Sequence, residues 1–184
     1  LAVPLLHTPR GIADIVLTCS DKGVDVGWLR FKNRPKYFAP ATSVAARPDG
    51  QGYLRRWLLL EPIRQDIRSN VVFTDSYLQK AFDKEYFKGQ MTRLPHDGQR
   101  VRVGDQKLTW HGLDSENYNV RLFRFAERWG QQTYGSLFWA VTVIDCPREM
   151  RNVRLSVGSN GASAWWLNGG LVLTLEGDRR MVED

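Results

Sequence analysis

The sequence predicts an all-β fold, an antiparallel β-sandwich with one short helix. Three observations carry that reading. Short alternating runs rich in branched and aromatic residues recur along the chain, turn residues separate them at sandwich spacing, and no strand–helix–strand alternation marks a parallel sheet. The 184 residues suffice for one good core, or one core and part of another. Seven tryptophans suit paired sheets, whose facing sides must be filled with large side chains.

Taken in order, Gly11 to Arg34 (GIADIVLTCSDKGVDVGWLRFKNR) reads as a hairpin. Ile15, Leu17 and Cys19 alternate with Asp14, Val16 and Thr18, SDKG turns, and VDVGWLRF returns. A lone hairpin is marginal in water, so these residues need strands from elsewhere. Asn33 to Gly52 holds three of the eight prolines and a Pro48-Asp49-Gly50 turn signal, the composition of a linker. Tyr53 to Ile63 (YLRRWLLLEPI) is a strand ended by Pro62, and Asp66 to Asp75 is a second. Asp75 to Phe87 is the expected helix: Asp75 caps it, and Tyr77, Leu78, Ala81, Phe82 and Phe87 approximate a 3.6-residue stripe. Gln99 to Leu113 is a hairpin turning at Gly104-Asp105. Five further strands are expected: YNVRLFRFAERW, GSLFWAVTVIDC, MRNVRLSVGS, GASAWWLNG and GLVLTLEG, from Tyr118 to Gly177.

Bulk properties exclude several classes. Net charge is +6, but the basic residues are scattered and form no stripe, so nucleic acid is not an expected partner. No apolar run reaches membrane-spanning length, so no membrane partner is expected either. Cys19 and Cys146 lie far apart without metal spacing, in apolar runs where a buried free thiol is common. The chain opens at Leu1 without a signal-like segment, which reads as a processed or excised piece.

Two stretches resemble known families. ADIVLTCSDKGVDVGWLRFKN resembles the closing strands of a family 6 carbohydrate-binding module, with Asp25, Trp28 and Phe31 on its Asn/Asp-x-x-Trp-x-x-Phe pattern. From Tyr53 onward, YLRRWLLLEPI, LTWHGLDSENYNV, LFWAVTVIDCPREMRNVRLSVGSNGASAWWLNG and GDRRMVED resemble a galactose-binding-like jelly roll. Such modules accompany multimodular acetyl xylan and feruloyl esterases. The resemblance implies that 1–34 is the C-terminal hairpin of a preceding β-sandwich module, 35–52 a linker, and 53–184 a jelly-roll accessory module. A jelly roll of this kind continues past the Asp-Arg-Arg stretch. Here the closing strands are either missing or supplied by another chain, which fits a fragment cut at both ends. It also implies a secreted or cell-surface setting, and neighbouring modules of a parent enzyme as partners.

Sugars present flat C–H faces and hydroxyls, so a site wants an exposed aromatic ring beside planar polar groups. Trp166 stands next to Trp165, and on a regular strand the two face opposite ways. With a turn at Asn168-Gly169, regular alternation puts Trp166 with Leu171, Leu173 and Leu175, and Trp165 with Leu167, Val172 and Thr174. In the resembling modules, residues one and three before the Asn face the core, which would bury Trp165 and Leu167. Trp166 is then either a sugar platform or a wall against the helix or another module. Other candidates are Trp110, His111, Asn117 and Tyr118 in one polar loop region, and Trp129, Gln131, Gln132 and Tyr134 in another. The alternative is that each loop is solvated around one aromatic anchor, and that most tryptophans are core.

No Gly-x-Ser-x-Gly elbow and no histidine cluster at metal spacing occurs, and no carboxylates can be paired from sequence, so no catalysis is expected. No cofactor is expected. Glu176, Asp178, Glu183 and Asp184 are ligands of the type Ca²⁺ takes, and resembling modules often hold structural Ca²⁺, which leaves a Ca²⁺ site open beside an Asp178–arginine pairing. The expected function is non-catalytic binding to plant cell-wall polysaccharide, xylan first. The alternative is a structural spacer without a sugar site.

Overall fold

The computed structural model describes residues 37–41, 45–65 and 75–177, with side chains from 78 onward in the last stretch. All belong to the second of the two units into which the chain divides, Lys36–Asp184. The expected hairpin at 11–34, all but the last residue of the strand at 66–75, Cys19 and Asp178 to Asp184 lie outside these residues.

Thirteen elements are formed among the described residues. They are β1 (Phe38–Pro40), β2 (Ala45–Ala46), β3 (Arg56–Leu60), β4 (Ile63–Arg64), α1 (Asp75–Asp83), β5 (Arg100–Val103) and β6 (Gln106–Ser115). There follow α2 (Leu122–Arg128), β7 (Ser136–Leu137), β8 (Ala140–Val141), β9 (Val143–Ile144), β10 (Ser163–Leu167) and β11 (Gly170–Leu175). The molecule is thus mostly strands in antiparallel sheets, with two helices where one was expected.

The principal sheet runs β1-β6-β3-β8, with β5 also on β6. β6 is its spine: one edge pairs with β3 from Arg56↔Asp114 to Leu60↔Trp110, and the other is shared by β5 and β1. At the Arg56↔Asp114 position the guanidinium donates through Nε and Nη2 to the two carboxylate oxygens, each at 2.8 Å. A two-toothed pair of this kind fixes register as well as adding energy.

Three consecutive leucines, Leu58, Leu59 and Leu60, are fully buried. Successive strand residues face opposite ways, so a run of buried leucines requires cover on both faces. One face carries Leu58, Leu60, Ile63, Leu108, Trp110 and Trp139, covered by Phe87 and Trp166. The other carries Phe38, Leu59, Leu113 and, from α2, Phe125. Each such side chain contributes about 1.5–3 kcal/mol on burial.

Of the strand expected over Tyr53–Ile63, Arg56–Leu60 is formed; it breaks at Glu61-Pro62 and pairing resumes at Ile63–Arg64. Proline has no N–H for the ladder. The neighbouring segment breaks correspondingly: Ser136–Leu137 pairs with β4 and Ala140–Val141 with β3, joined by Leu60 N–H to Trp139 O at 2.9 Å. The single strand expected at 135–146 is therefore three short pieces, the last of which pairs with β2 in parallel.

Four expectations are corrected. Part of the presumed linker is built into the sheets, with Phe38, Ala41 and Ala46 buried. Tyr118–Trp129 is not a strand: α2 occupies its second half, because Leu122, Phe125, Ala126 and Trp129 fall on one helical face. Met150–Ser159 alternates yet forms no strand, and Val153 and Leu155 are exposed with no strand beside them among the described residues. Cys146 is exposed rather than buried. The expected hairpin β5–β6 is formed as read, β10–β11 turns where expected but with an irregular register, and α1 ends at Asp83, four residues before Phe87.

Candidate functional site

The tryptophan pair is divided between the two covered faces. The β10–β11 ladder contains a bulge: Trp166 faces Leu171, but Trp165 faces Leu173, leaving Val172 without a partner. A bulge shifts every later side chain to the other face. Leu173 and Leu175 therefore join Trp165, not Trp166 as regular alternation predicts. Trp166 is half-buried, its ring 5.5 Å from that of Trp139. Trp165 is half-buried too, edge-on to Trp57 at 6.4 Å, its indole N–H donating to Ser163 Oγ at 3.0 Å. Leu167, expected in the core, is exposed.

The other candidates separate as follows. Trp110 is 1% exposed and belongs to the core, which removes it as a platform. Asn117 and Tyr118 are exposed, and the Tyr118 ring lies 5.4 Å from Tyr53. Trp129, Gln131, Gln132 and Tyr134 occupy one loop between α2 and β7.

That loop is set by the end of α2. Gly130, at φ +65°, takes the left-handed conformation that closes a helix at low steric cost. Its N–H donates to Glu127 O at 3.2 Å and that of Gln131 to Ala126 O at 2.9 Å, the paired bonds of a Schellman ending. Trp129 is thereby laid on the sheet, stacked on His111 of β6 at 3.9 Å and 15°. His111 is also edge-on to Phe125 at 5.8 Å, and its Nε2 lies 3.1 Å from Glu61 Oε1. Glu61 is fixed in turn: its Oε2 accepts from Thr109 N–H at 3.0 Å, and its own N–H donates to Thr109 O at 3.1 Å. The Pro62 interruption thus supplies the carboxylate that orients His111.

The His111–Glu61 pair is mostly buried, and no described hydroxyl or thiol hydrogen-bonds to the imidazole. The imidazole is held between the Glu61 carboxylate, the Phe125 edge and the Trp129 face. The Trp129 ring is 37% exposed, with the Arg128 guanidinium 5.6 Å from its centre. Arg128 also donates to Phe38 O at 3.2 Å. Tyr134 is the open ring, 69% exposed. Gln132 is exposed beside it, its side-chain amide donating to Tyr134 O and its carbonyl accepting from Ser136 Oγ at 3.0 Å. Gln131 is half-buried.

Sequence reasoning missed Glu61, the stacking of Trp129 on His111, and Arg128. The signal for Arg128 and Trp129 was the helical spacing of Leu122, Phe125, Ala126 and Trp129. Of the Ca²⁺ candidates only Glu176 is described, and among the described residues no three acidic, histidine or cysteine side chains gather as a metal site. No helix among these residues is long and apolar enough to cross a membrane. No protein-family model, no curated protein and no solved structure matches the chain.

Proposed function

We propose that the chain is a non-catalytic polysaccharide-binding module of galactose-binding-like jelly-roll type. It would deliver a parent polysaccharide-degrading enzyme to plant cell-wall polysaccharide, xylan first, outside the cell. The observation that carries the reading is the 129–134 loop: Tyr134 is an open ring, Gln132 stands beside it, and Trp129 is stacked on His111 beneath it. A pre-set aromatic surface with a planar amide suits stacking on a sugar face, because little rotamer entropy is lost on binding. A weak site of this kind works by raising the effective concentration of a tethered catalytic domain.

Calorimetric titration with xylan, arabinoxylan, β-glucan and galactomannan tests this. One polymer should bind saturably, and Tyr134→Ala should weaken it about tenfold with folding intact.

The β10–β11 hairpin favours a second reading. Leu167, Leu171, Val172 and Leu173 are exposed on it, as expected of a spacer packed against a neighbouring module. A well-folded chain that binds none of the four polymers would support the spacer.

A further inference from the structure

We propose that a second binding site, for a neutral polyhydroxylated ligand, lies in the cleft between the end of α1, the turn at 84–93 and the β10–β11 hairpin. The cleft is open to solvent, with a volume of about 510 Å³, within the range of small-molecule sites. The identification of the ligand as a sugar rests on the polysaccharide reading above; the cleft's own chemistry points only to a neutral polyol.

Trp166 forms one wall. Its ring is backed by Trp139, so it is held in place without being sealed from solvent. The opposite side is a built turn. The buried side chain of Gln90 accepts from Tyr86 N–H at 2.9 Å and donates to Lys84 O at 3.0 Å. The Tyr86 hydroxyl donates to Ala81 O at 2.9 Å, anchoring the turn on α1. The Arg93 stem lies against Gly89, where a Cβ would come within 2.8 Å of Arg93 Cδ. A pocket whose floor is already hydrogen-bonded needs little reorganisation to bind.

The charged lining decides the ligand class. Asp83 and Glu85 face the cleft together with Lys88 and Arg93, a balance of zero. Asp83 Oδ1 accepts from the Gln79 amide at 2.9 Å and Glu85 Oε1 from Gly89 N–H at 3.3 Å, leaving each carboxylate a further oxygen. Lys88 and Arg93 make no ion pair with a described residue. An anion would meet two carboxylates and a cation two basic groups, so a ligand with net charge gains little from the site as a whole. A hydroxyl both donates and accepts, and a row of hydroxyls can use acceptors and donors in equal number. The Trp166 ring supplies the apolar contact that a sugar's C–H face requires.

The test uses the whole chain and neutral oligosaccharides of whichever polymer binds, with uronate-bearing oligosaccharides alongside. Asp83→Asn and Arg93→Ala alter exposed residues and should leave the fold intact, whereas Trp166→Ala removes a core contact and serves only as support. Each of the first two should weaken the binding that survives in Tyr134→Ala by about tenfold, and neutral and uronate-bearing ligands should bind equally. If both cleft variants bind like the parent while Tyr134→Ala abolishes binding, the cleft is not a site and the polysaccharide reading stands. If only uronate-bearing ligands bind, and salt removes the binding, the neutral-ligand assignment falls. If the cleft variants lose binding and Tyr134→Ala does not, the cleft is the site and the loop is not. If no sugar binds, both proposals fail together.

Discussion

Replacing Phe125 and Phe123 separately by alanine tests whether the Tyr118–Trp129 segment is a helix or a strand. On a strand the two residues, two positions apart, would share a face and cost similar amounts on truncation. On α2 they diverge: Phe125 is 0% exposed and Phe123 is 55% exposed. Phe125 packs edge-on to Phe38 at 6.3 Å and to His111 at 5.8 Å. Burial of an aromatic side chain removes about 150–250 Å² from water, and at about 25 cal/mol per Å² loss of the ring costs about 4 kcal/mol. Measured Phe→Ala substitutions in cores fall at about 3–5 kcal/mol, in agreement. Phe123 has one described ring neighbour, Phe138 at 6.3 Å, and retains more than half its exposure. Its truncation should cost about 1 kcal/mol. Urea unfolding followed by tryptophan fluorescence measures both values. Equal losses for the two variants would refute the helix, and with it the geometry that lays Trp129 on His111.

Other consequences follow from single contacts. Gly112→Ala should destabilise by more than 1 kcal/mol or so, because a Cβ there would stand 2.6 Å from Ala41 O, where the chain leaving β1 bonds back to Gly112; a denaturation midpoint unchanged from the parent would contradict it. The Asp49 carboxyl is held below its ordinary value of 3.8, chiefly by the Tyr53 N–H and also by the Gln51 N–H and Arg55. A depressed carboxyl stabilises the fold above its unfolded value and loses that contribution as pH falls through its lower folded value. Asp49→Asn should therefore be less stable than the parent at neutral pH and converge with it well below pH 3.8, as measured by thermal unfolding against pH. A gap that persists at acid pH would assign the loss to the changed side chain and not to its charge. Double replacement of Arg56 and Asp114 by alanine should show a coupling of about 1 kcal/mol in a double-mutant cycle, since the pair is part-exposed but two-toothed.

What was legible in the sequence was local. The hairpins at Gly104-Asp105 and Asn168-Gly169 were readable because turn residues and alternation lie within a few positions of each other. α2 was misread because Tyr118, Val120 and Leu122 alternate just before Leu122, Phe125, Ala126 and Trp129 take up the helical spacing. Met150–Ser159 shows the converse: alternation describes a strand's faces but provides no partner, and a strand needs one. The core position of Trp110 was hidden for a similar reason, since a buried tryptophan and a sugar platform are the same residue until the Leu60↔Trp110 pairing is known. The cleft was hidden most completely. Asp83, Glu85, Lys88 and Arg93 carry no motif or spacing that marks a site in the sequence, and only tertiary folding brings the distant Trp166 beside them.

The bulge at Val172 links these levels. Without it, Leu171, Leu173 and Leu175 would all lie with Trp166, and Trp165 would share its face with Val172 and Thr174. With it, Leu173 and Leu175 back Trp165 while Trp166 keeps only Leu171 and Thr174 opposite its own side of the ladder. Trp165 is thereby fitted to the Trp57 side, and Trp166 packs against Trp139 and the core beneath it, each ring half-buried. The extra residue that disturbs the ladder therefore supplies a physical cause for the division of the tryptophan pair, one ring edge-on to Trp57 and its neighbour against Trp139 at the edge of the cleft.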